Sequence, residues 1–175
     1  MPNRWRARAT EADPEILDFL SKIPAGWRFA PTDEELVFLY LKPKIELQPL
    51  PMHMIMDVNI YNHHPETLSA EYEKFNDGEW YFFTPRDKKY PKTYRPNRKA
   101  IGGFWKASGK YAGVYLDGRE IGKKRLMVFY NGNHPNSKKT DWLMKEYCCT
   151  VATPPPRQET DQENDMQVRV LIKKM

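Results

Sequence analysis

The feature that most restricts the fold is a segment from Arg95 to Lys110 in which long cations are interspersed with very small residues. In an extended strand, this segment would turn the large ring of Trp105 to one side and Lys106 to the other. Small residues let a backbone approach a surface closely, and flanking cations neutralise phosphates. The segment therefore predicts a strand that enters a groove of a nucleic acid. An ordinary strand with a glycine-rich turn and a solvated basic face is the open alternative.

Charge is segregated along the chain. Residues 86–110 contain nine lysines and arginines but a single aspartate, whereas residues 31–79 contain ten acids and three lysines. The net charge of the whole chain, +5, conceals this polarity. A concentrated basic region is typical of proteins that bind an anionic partner.

The chain of 175 residues is long enough for one domain with a hydrophobic core. We expect an N-terminal arm or short helix over residues 1–22 and a single domain over residues 23–174, with a flexible loop at residues 151–166. No apolar run reaches the length of a membrane span, and the N-terminus lacks the apolar centre of a signal peptide. The adjacent pair Cys148 and Cys149 predicts reduced thiols and an intracellular protein.

A capping box predicts where the first strong helix begins. Thr32 and Glu35 have the spacing in which each side chain bonds the backbone amide of the other. Leu36, Leu39 and Tyr40 would form the apolar side of this helix, and Pro43 would end it. Further along, weaker patterns predict a helix over residues 51–58, a strand and turn over residues 59–65, and a short helix over residues 65–75.

From residue 79 onward the pattern predicts strands. An Asp-Gly pair at residues 117–118 is typical of a tight hairpin turn. The predicted strands and hairpin span residues 79–84, the Trp105 region, residues 113–121, 124–130, 140–147 and 167–172. Hairpins between neighbouring strands favour an α+β fold in which an antiparallel sheet has helices at its margin.

Motifs for catalysis are absent from the sequence. There is no phosphate-binding loop, dinucleotide fingerprint or nucleophile elbow, so we predict that the protein is not an enzyme. Two of the four histidines and both cysteines occur as adjacent pairs, without the spacing of a metal site. We therefore predict no bound metal and no cofactor.

Five motifs in order resemble the NAC domain of plant transcription factors. They are Pro24–Leu36 (PAGWRFAPTDEEL), Trp80–Pro91 (WYFFTPRDKKYP), Arg95–Gly109 (RPNR…GFWKASG), Lys123–Tyr130 (KKRLMVFY) and Thr140–Tyr147 (TDWLMKEY). The resemblance extends over about residues 23–174.

The resemblance implies a twisted antiparallel β-sheet flanked by a few short helices, in a dimeric, nuclear transcription factor that binds specific double-stranded DNA. In the family the edge strand, here residues 104–110, enters the major groove. The family's DNA contacts correspond to Lys89, Arg95, Arg98, Trp105, Lys106, Ala107, Ser108, Gly109, Lys110, Lys123 and Lys124. Trp105 is expected to anchor the strand in the core.

The resemblance also implies a homodimer, or a heterodimer with other NAC-type proteins, formed by the opening segment. The corresponding residues are Pro24, Ala25, Gly26, Arg28 and Glu35, with an ion pair between Arg28 of one subunit and Glu35 of the other. The capping role of Glu35 is compatible with this pair, since a carboxylate accepts several hydrogen bonds.

This sequence departs from the family pattern at the strand tip. Ser108 replaces a threonine and so lacks a methyl group that would contact a thymine methyl. Lys110-Tyr-Ala replaces Thr-Asp-Lys, which moves the cation and predicts an altered base preference. Alternative functions are a short, non-activating dimerisation partner, a module whose basic face binds acidic proteins, and binding of single-stranded nucleic acid.

Overall fold

The structure, a computed structural model, describes residue 22 and residues 24–52, 54–72, 78–85 and 98–153, together with the backbone of residues 166–173. Most of the predicted arm at residues 1–22 and of the predicted loop at residues 151–166 lies outside the described residues. Two predicted DNA contacts, Lys89 and Arg95, also lie outside them.

The first helical segment, residues 33–45, begins where the capping box predicts. It consists of α1 (Asp33–Glu35), a π-helix (Leu36–Leu41) and α2 (Lys42–Ile45). The Glu35 amide donates to Oγ1 of Thr32 at 3.3 Å, and the Thr32 amide donates to Oε2 of Glu35 at 2.8 Å. The predicted capping box is confirmed.

Two predictions for this segment are wrong. Pro43 does not end the helix, because it occupies an early position of α2, where a missing amide hydrogen is tolerated. Leu39, predicted on the apolar side, is exposed, whereas Val37 and Leu41 are buried. A π-helix has more residues per turn than an α-helix, so the buried face follows a different spacing from the one predicted.

Residues 54–72 contain a short strand and two short helices. These elements are β1 (Met56–Asp57), a 3-10 helix (Ile60–Asn62) and α3 (Pro65–Glu71). The predicted helix over residues 51–58 is wrong, because Met56 and Asp57 pair in parallel with Phe82 and Phe83, and tertiary pairing overrides weak local preference. The predicted strand near residue 60 is a 3-10 turn, and the predicted helix from residue 65 is confirmed over its first seven residues. Within the described residues, none of the helices is both long and apolar enough to span a membrane.

The described strands form one sheet in the order β1-β2-β7-β6-β5-β4-β3. Every neighbouring pair is antiparallel except β1 and β2. Beyond β1, the strands are β2 (Glu79–Pro85), β3 (Lys99–Ala100), β4 (Gly103–Leu116), β5 (Arg119–Asn131), β6 (Lys138–Cys149) and β7 (Met166–Lys173). The sheet is curled and carries short helices, which confirms the predicted α+β class. The strands predicted from residue 79 onward are confirmed.

Both faces of the sheet are buried at β2. In β2, Tyr81 and Phe83 pack with the first helical segment, whereas Trp80 and Phe82 pack with the 3-10 helix and α3 on the opposite face. Successive residues of a strand point to opposite faces, so this continuous aromatic run supplies both hydrophobic cores. The core packing leaves most of residues 106–113 of β4 exposed.

A partly buried polar contact joins the first helical segment to the sheet. Asp33, in α1, accepts a hydrogen bond from the ammonium of Lys124 in β5 and a second one, of 2.6 Å, from the hydroxyl of Tyr147 in β6. Burial alone would raise the pKa of Asp33, but these two hydrogen bonds and the charges of Lys124 and Lys145 outweigh it and lower the pKa below 3.8. The ionised carboxylate is therefore the form that stabilises the fold.

We expect Asp33→Asn to destabilise the protein by about 1–2 kcal/mol at neutral pH, because the charge-assisted hydrogen bonds weaken. A depressed carboxylate pKa contributes stability above the unfolded pKa, and this contribution disappears as the pH falls through the folded value. The difference from wild type should therefore be constant above about pH 5 and shrink below about pH 4. Urea unfolding at a series of pH values measures it, and a difference that grew towards low pH would contradict the assignment.

Candidate nucleic-acid interface

Within the part of the chain that the structure describes, one side of β4 pairs with another strand only near its start. On its inner side β4 pairs with β5, whereas on its outer side β3 pairs only with Gly103 and Phe104. A further hydrogen bond, of 2.9 Å, joins the Trp105 amide to the Arg98 carbonyl. Beyond this point no described strand lies against β4. The predicted DNA-binding strand is therefore an edge strand over residues 106–110.

Side chains alternate along β4 as predicted. Trp105 is only 2% exposed and packs on Phe129 with ring centroids 5.0 Å apart, so it anchors the strand as expected. Lys106 points to the other face and is exposed, with its ammonium 5.6 Å from the centroid of the Tyr130 ring. Phe104 stacks on the same ring at 5.5 Å. The ammonium of an exposed lysine thus lies near one ring of a stacked aromatic pair.

The strand tip is a bulge. Pairing with β5 shifts between Ser108 and Ala112, so Gly109, Lys110 and Tyr111 together face Arg125. Gly109 has a φ of +85°, a conformation that side chains with a Cβ rarely adopt. Ser108, Gly109 and Lys110 are exposed, whereas Ala107 is partly buried. The bulge therefore projects a short polar and basic tip from the edge of the sheet.

The two lysines predicted after the hairpin have different environments. Lys123 is 47% exposed and lies 4.0 Å from Glu120. Lys124 is on the opposite face of β5, where its ammonium is bound by Asp33. For both residues a DNA contact stays a prediction, and Lys124 also has the structural role described above.

Arg98 forms an ion pair with Glu146, which the sequence motifs do not reveal. Its side chain is 19% exposed, and one guanidinium nitrogen lies 3.9 Å from Oε2 of Glu146, a residue with no exposed side-chain surface. Its Nε is buried and has no hydrogen-bond partner among the described residues. Arg98 therefore contacts an internal carboxylate while part of its side chain remains at the surface.

Sequence reasoning did not select Arg125, Tyr111 or Glu146 as parts of this site. The Nε of Arg125 donates to the Gly109 carbonyl at 3.1 Å, and its guanidinium lies 4.9 Å from the centroid of the Tyr111 ring. The Tyr111 hydroxyl donates to Oε1 of Glu146 at 3.0 Å. Burial and the Glu146 carboxylate raise the pKa of Tyr111, so its hydroxyl keeps its proton at neutral pH. A signal for Glu146 was available, because it follows Trp142 and Met144 at strand spacing.

The predicted dimer segment is exposed in the single chain. Pro24, Ala25, Gly26, Arg28 and Glu35 are all exposed. Phe29 directly follows Arg28 and is buried against Tyr40 and Tyr81, whose ring centroids lie 5.6 Å and 5.1 Å from its own. The segment is therefore anchored at one end while its preceding residues are accessible to a partner. Their role in dimerisation stays a prediction.

Acidic, histidine and cysteine side chains do not cluster into a metal-binding group in the part of the chain that the structure describes. The predicted absence of a metal stays a prediction.

Comparison with known proteins identifies the family. The family model described as "No apical meristem (NAM) protein" matches residues 24–149. The chain is 46% identical over 127 residues to NAC domain-containing protein 1 of Solanum lycopersicum. The aligned region covers 73% of this chain and 45% of that protein. The chain is 42% identical over 152 residues to NAC transcription factor 25 of Arabidopsis thaliana, covering 83% of this chain and 47% of the relative.

A sheet with an open, basic edge strand and this family match define a NAC-type domain. The chain belongs to the NAC (NAM) family of plant transcription factors. It spans less than half the length of these two curated relatives.

Two glycines of β4 provide a matched test of this geometry. A Cβ on Gly103 would lie 2.0 Å from the Tyr130 carbonyl oxygen, whereas a Cβ on Gly109 would meet nothing within 4 Å. At Gly109 a side chain is disfavoured only by the positive φ of the backbone. We expect Gly109→Ala to destabilise by about 1–2 kcal/mol. Gly103→Ala should destabilise by more than about 3 kcal/mol, because backbone atoms have to move apart. Urea unfolding compares them, and equal effects would contradict the close approach of β4 and β5 at Gly103.

Proposed function

We propose that this protein is a dimeric transcription factor that binds specific double-stranded DNA by inserting the edge of β4 into the major groove. The observation that carries the proposal lies in residues 106–110, which combine exposed lysines and small residues with a strand edge against which no described strand pairs. The family of the chain supports the same class of function.

The dimensions of the edge suit a groove. The major groove of B-form DNA is about 12 Å wide and admits a helix or a β-ribbon. Ser108 and Gly109 add little bulk beyond the backbone, so the strand can approach the bases closely. The bulge directs this tip away from β5, because extra residues in one strand bend it out of the ladder.

Different residues have different tasks in this mechanism. Lys106 and Lys110, which flank the tip, would bind phosphates on the two sides of the groove. Lys123, Lys89, Arg95 and Arg98 would add phosphate contacts that set the orientation of the domain. Ser108 is the side chain best placed to contact base edges, since it lies in the tip and carries a hydroxyl that both donates and accepts.

Dimerisation would place two such strands on neighbouring half-sites. A two-fold interface uses the same surface on both subunits, and the exposed segment at residues 24–28 offers an Arg28 that can pair with Glu35 of the other copy. The partner is a second copy of this chain or another NAC-type protein. A protein with this activity acts in the nucleus, where its DNA sites are found.

We expect Lys106→Ala and Lys110→Ala each to weaken binding to a duplex by about tenfold. If each lysine neutralises one phosphate, the slope of log affinity against log salt should fall by about one unit per substitution. Fluorescence anisotropy with a labelled duplex selected from a random pool measures both quantities. Lys42→Ala is the matched control, because it removes the same charge from α2, where Lys42 pairs with Glu46 at 2.8 Å.

Two results would contradict the proposed interface. One is an equal loss of affinity in Lys42→Ala, which would mean that only the overall charge matters. The other is unchanged salt dependence in both strand variants.

For the dimer, we expect Arg28→Glu to shift the protein towards monomer, because two carboxylates would then face each other across the interface. Combining it with Glu35→Arg should restore dimerisation. Sedimentation velocity at several protein concentrations measures the dissociation constant.

Glu35 also caps α1, so the cap needs its own control. Thr32→Ala removes the capping box without changing charge, costs about 1 kcal/mol of stability and should leave the dimer intact. A dimer that survives Arg28→Glu would show that the interface lies elsewhere.

A further inference from the structure

A buried acid lies directly beneath the basic edge of the sheet. Glu146 follows Trp142 and Met144 at alternate positions of β6 and so lies on the same face of the strand. Trp142 and Met144 belong to the hydrophobic core, and Glu146 is a buried charged residue. The side chain of Glu146 is completely buried. A carboxylate inside a protein is unfavourable unless cations and hydrogen-bond donors surround it, so its contacts need an explanation.

The contacts of Glu146 reach two separate parts of the proposed DNA-binding edge. One carboxylate oxygen accepts the Tyr111 hydroxyl at 3.0 Å, and the other lies 3.9 Å from the Arg98 guanidinium. Tyr111 belongs to the bulge of β4, whereas Arg98 immediately precedes β3. The carboxylate therefore joins the strand tip to the segment that enters the sheet beside it.

Arg125 completes the arrangement from the neighbouring strand. It is paired with Glu146 in the register of β5 and β6, and its guanidinium lies 4.9 Å from the centroid of the Tyr111 ring. Its hydrogen bond to the Gly109 carbonyl fixes the backbone of the bulge. Tyr111 is thus held by its hydroxyl at Glu146 and by its ring at Arg125.

We propose that Glu146 is a positioning residue for DNA binding, which orients Arg98 towards a phosphate and holds the β4 bulge through Tyr111. This inference rests on the proposed function. Arg98 is fixed at its backbone by the Trp105 amide and at its side chain by Glu146, so little rotamer entropy is lost when its exposed part binds a phosphate.

For removal of the Glu146 charge, the inference predicts the opposite change in DNA affinity from the one that simple electrostatics predicts. A negative charge near a DNA-binding surface repels phosphates, so its removal alone should tighten binding. If Glu146 orients Arg98, removing its charge should instead weaken binding. The direction of the change therefore separates a positioning role from a general charge effect.

The test compares Glu146→Gln with Asp141→Asn. Both substitutions remove one negative charge from β6, but Asp141 is exposed, whereas Glu146 contacts Arg98 and Tyr111. With a labelled duplex, Glu146→Gln should bind about tenfold more weakly than wild type, and its salt slope should fall by about one unit. Asp141→Asn should bind at least as tightly as wild type.

Tyr111→Phe provides a second variant that changes no charge and removes only the hydroxyl. It should bind about threefold more weakly with an unchanged salt slope, because the bulge loses an anchor while every cation remains. If Tyr111→Phe bound DNA as tightly as wild type, the Tyr111 hydroxyl would not contribute to binding. The proposal that Glu146 positions the bulge through Tyr111 would then be wrong. This variant keeps the proposal testable if Glu146→Gln does not fold.

The outcomes separate this inference from the proposed function. If wild type binds no duplex, the proposed function is wrong and the inference fails with it. If wild type binds but Glu146→Gln binds as tightly as Asp141→Asn, only the inference is overturned. A reduced active fraction with an unchanged salt slope would mean that Glu146 merely stabilises the fold, which also overturns it.

Discussion

Burial of β2 on both faces is the constraint on which the rest of the structure depends. The first helical segment covers one face, and the 3-10 helix with α3 covers the other, so the aromatic residues of β2 are buried on both sides. A sheet enclosed in this way offers its edge and hairpins to a partner. Edge strands commonly carry charged residues that prevent association with other sheets. In this protein the charges of β4 also suit it to a phosphate-bearing partner.

Two acids determine how the basic residues near this edge are used. Asp33 binds Lys124 and connects the helical segment to the sheet, while Glu146 contacts Arg98 beneath β4. Lys106 and Lys110, for which no acidic partner is found among the described residues, are exposed on the strand itself. The described cations therefore differ in kind: Lys124 is held by an acid within the fold, Arg98 contacts an acid but stays partly exposed, and Lys106 and Lys110 are exposed.

Local patterns in the sequence predicted much of the fold, but they did not predict which cations contact an acid. Strand alternation, the capping box and the Asp-Gly turn each act over a few residues, and the structure confirms them. The helix predicted over residues 51–58 failed because Met56 and Asp57 are ordered by pairing with β2. The contacts of Lys124 and Arg98 depend on the register of distant strands, which no local pattern specifies. The pattern ending at Glu146 does indicate burial, but burial alone does not identify its partners.

The central claim is that the outer edge of β4 occupies a groove of the DNA duplex. Hydrogen–deuterium exchange with and without a selected duplex tests it most directly, since backbone amides on an unpaired edge exchange quickly unless something covers them. The account predicts that DNA slows exchange in the peptide covering residues 105–112, while the peptide covering the exposed dimer segment at residues 24–28 changes little. Unchanged exchange at residues 105–112 in a duplex-bound sample would contradict the account.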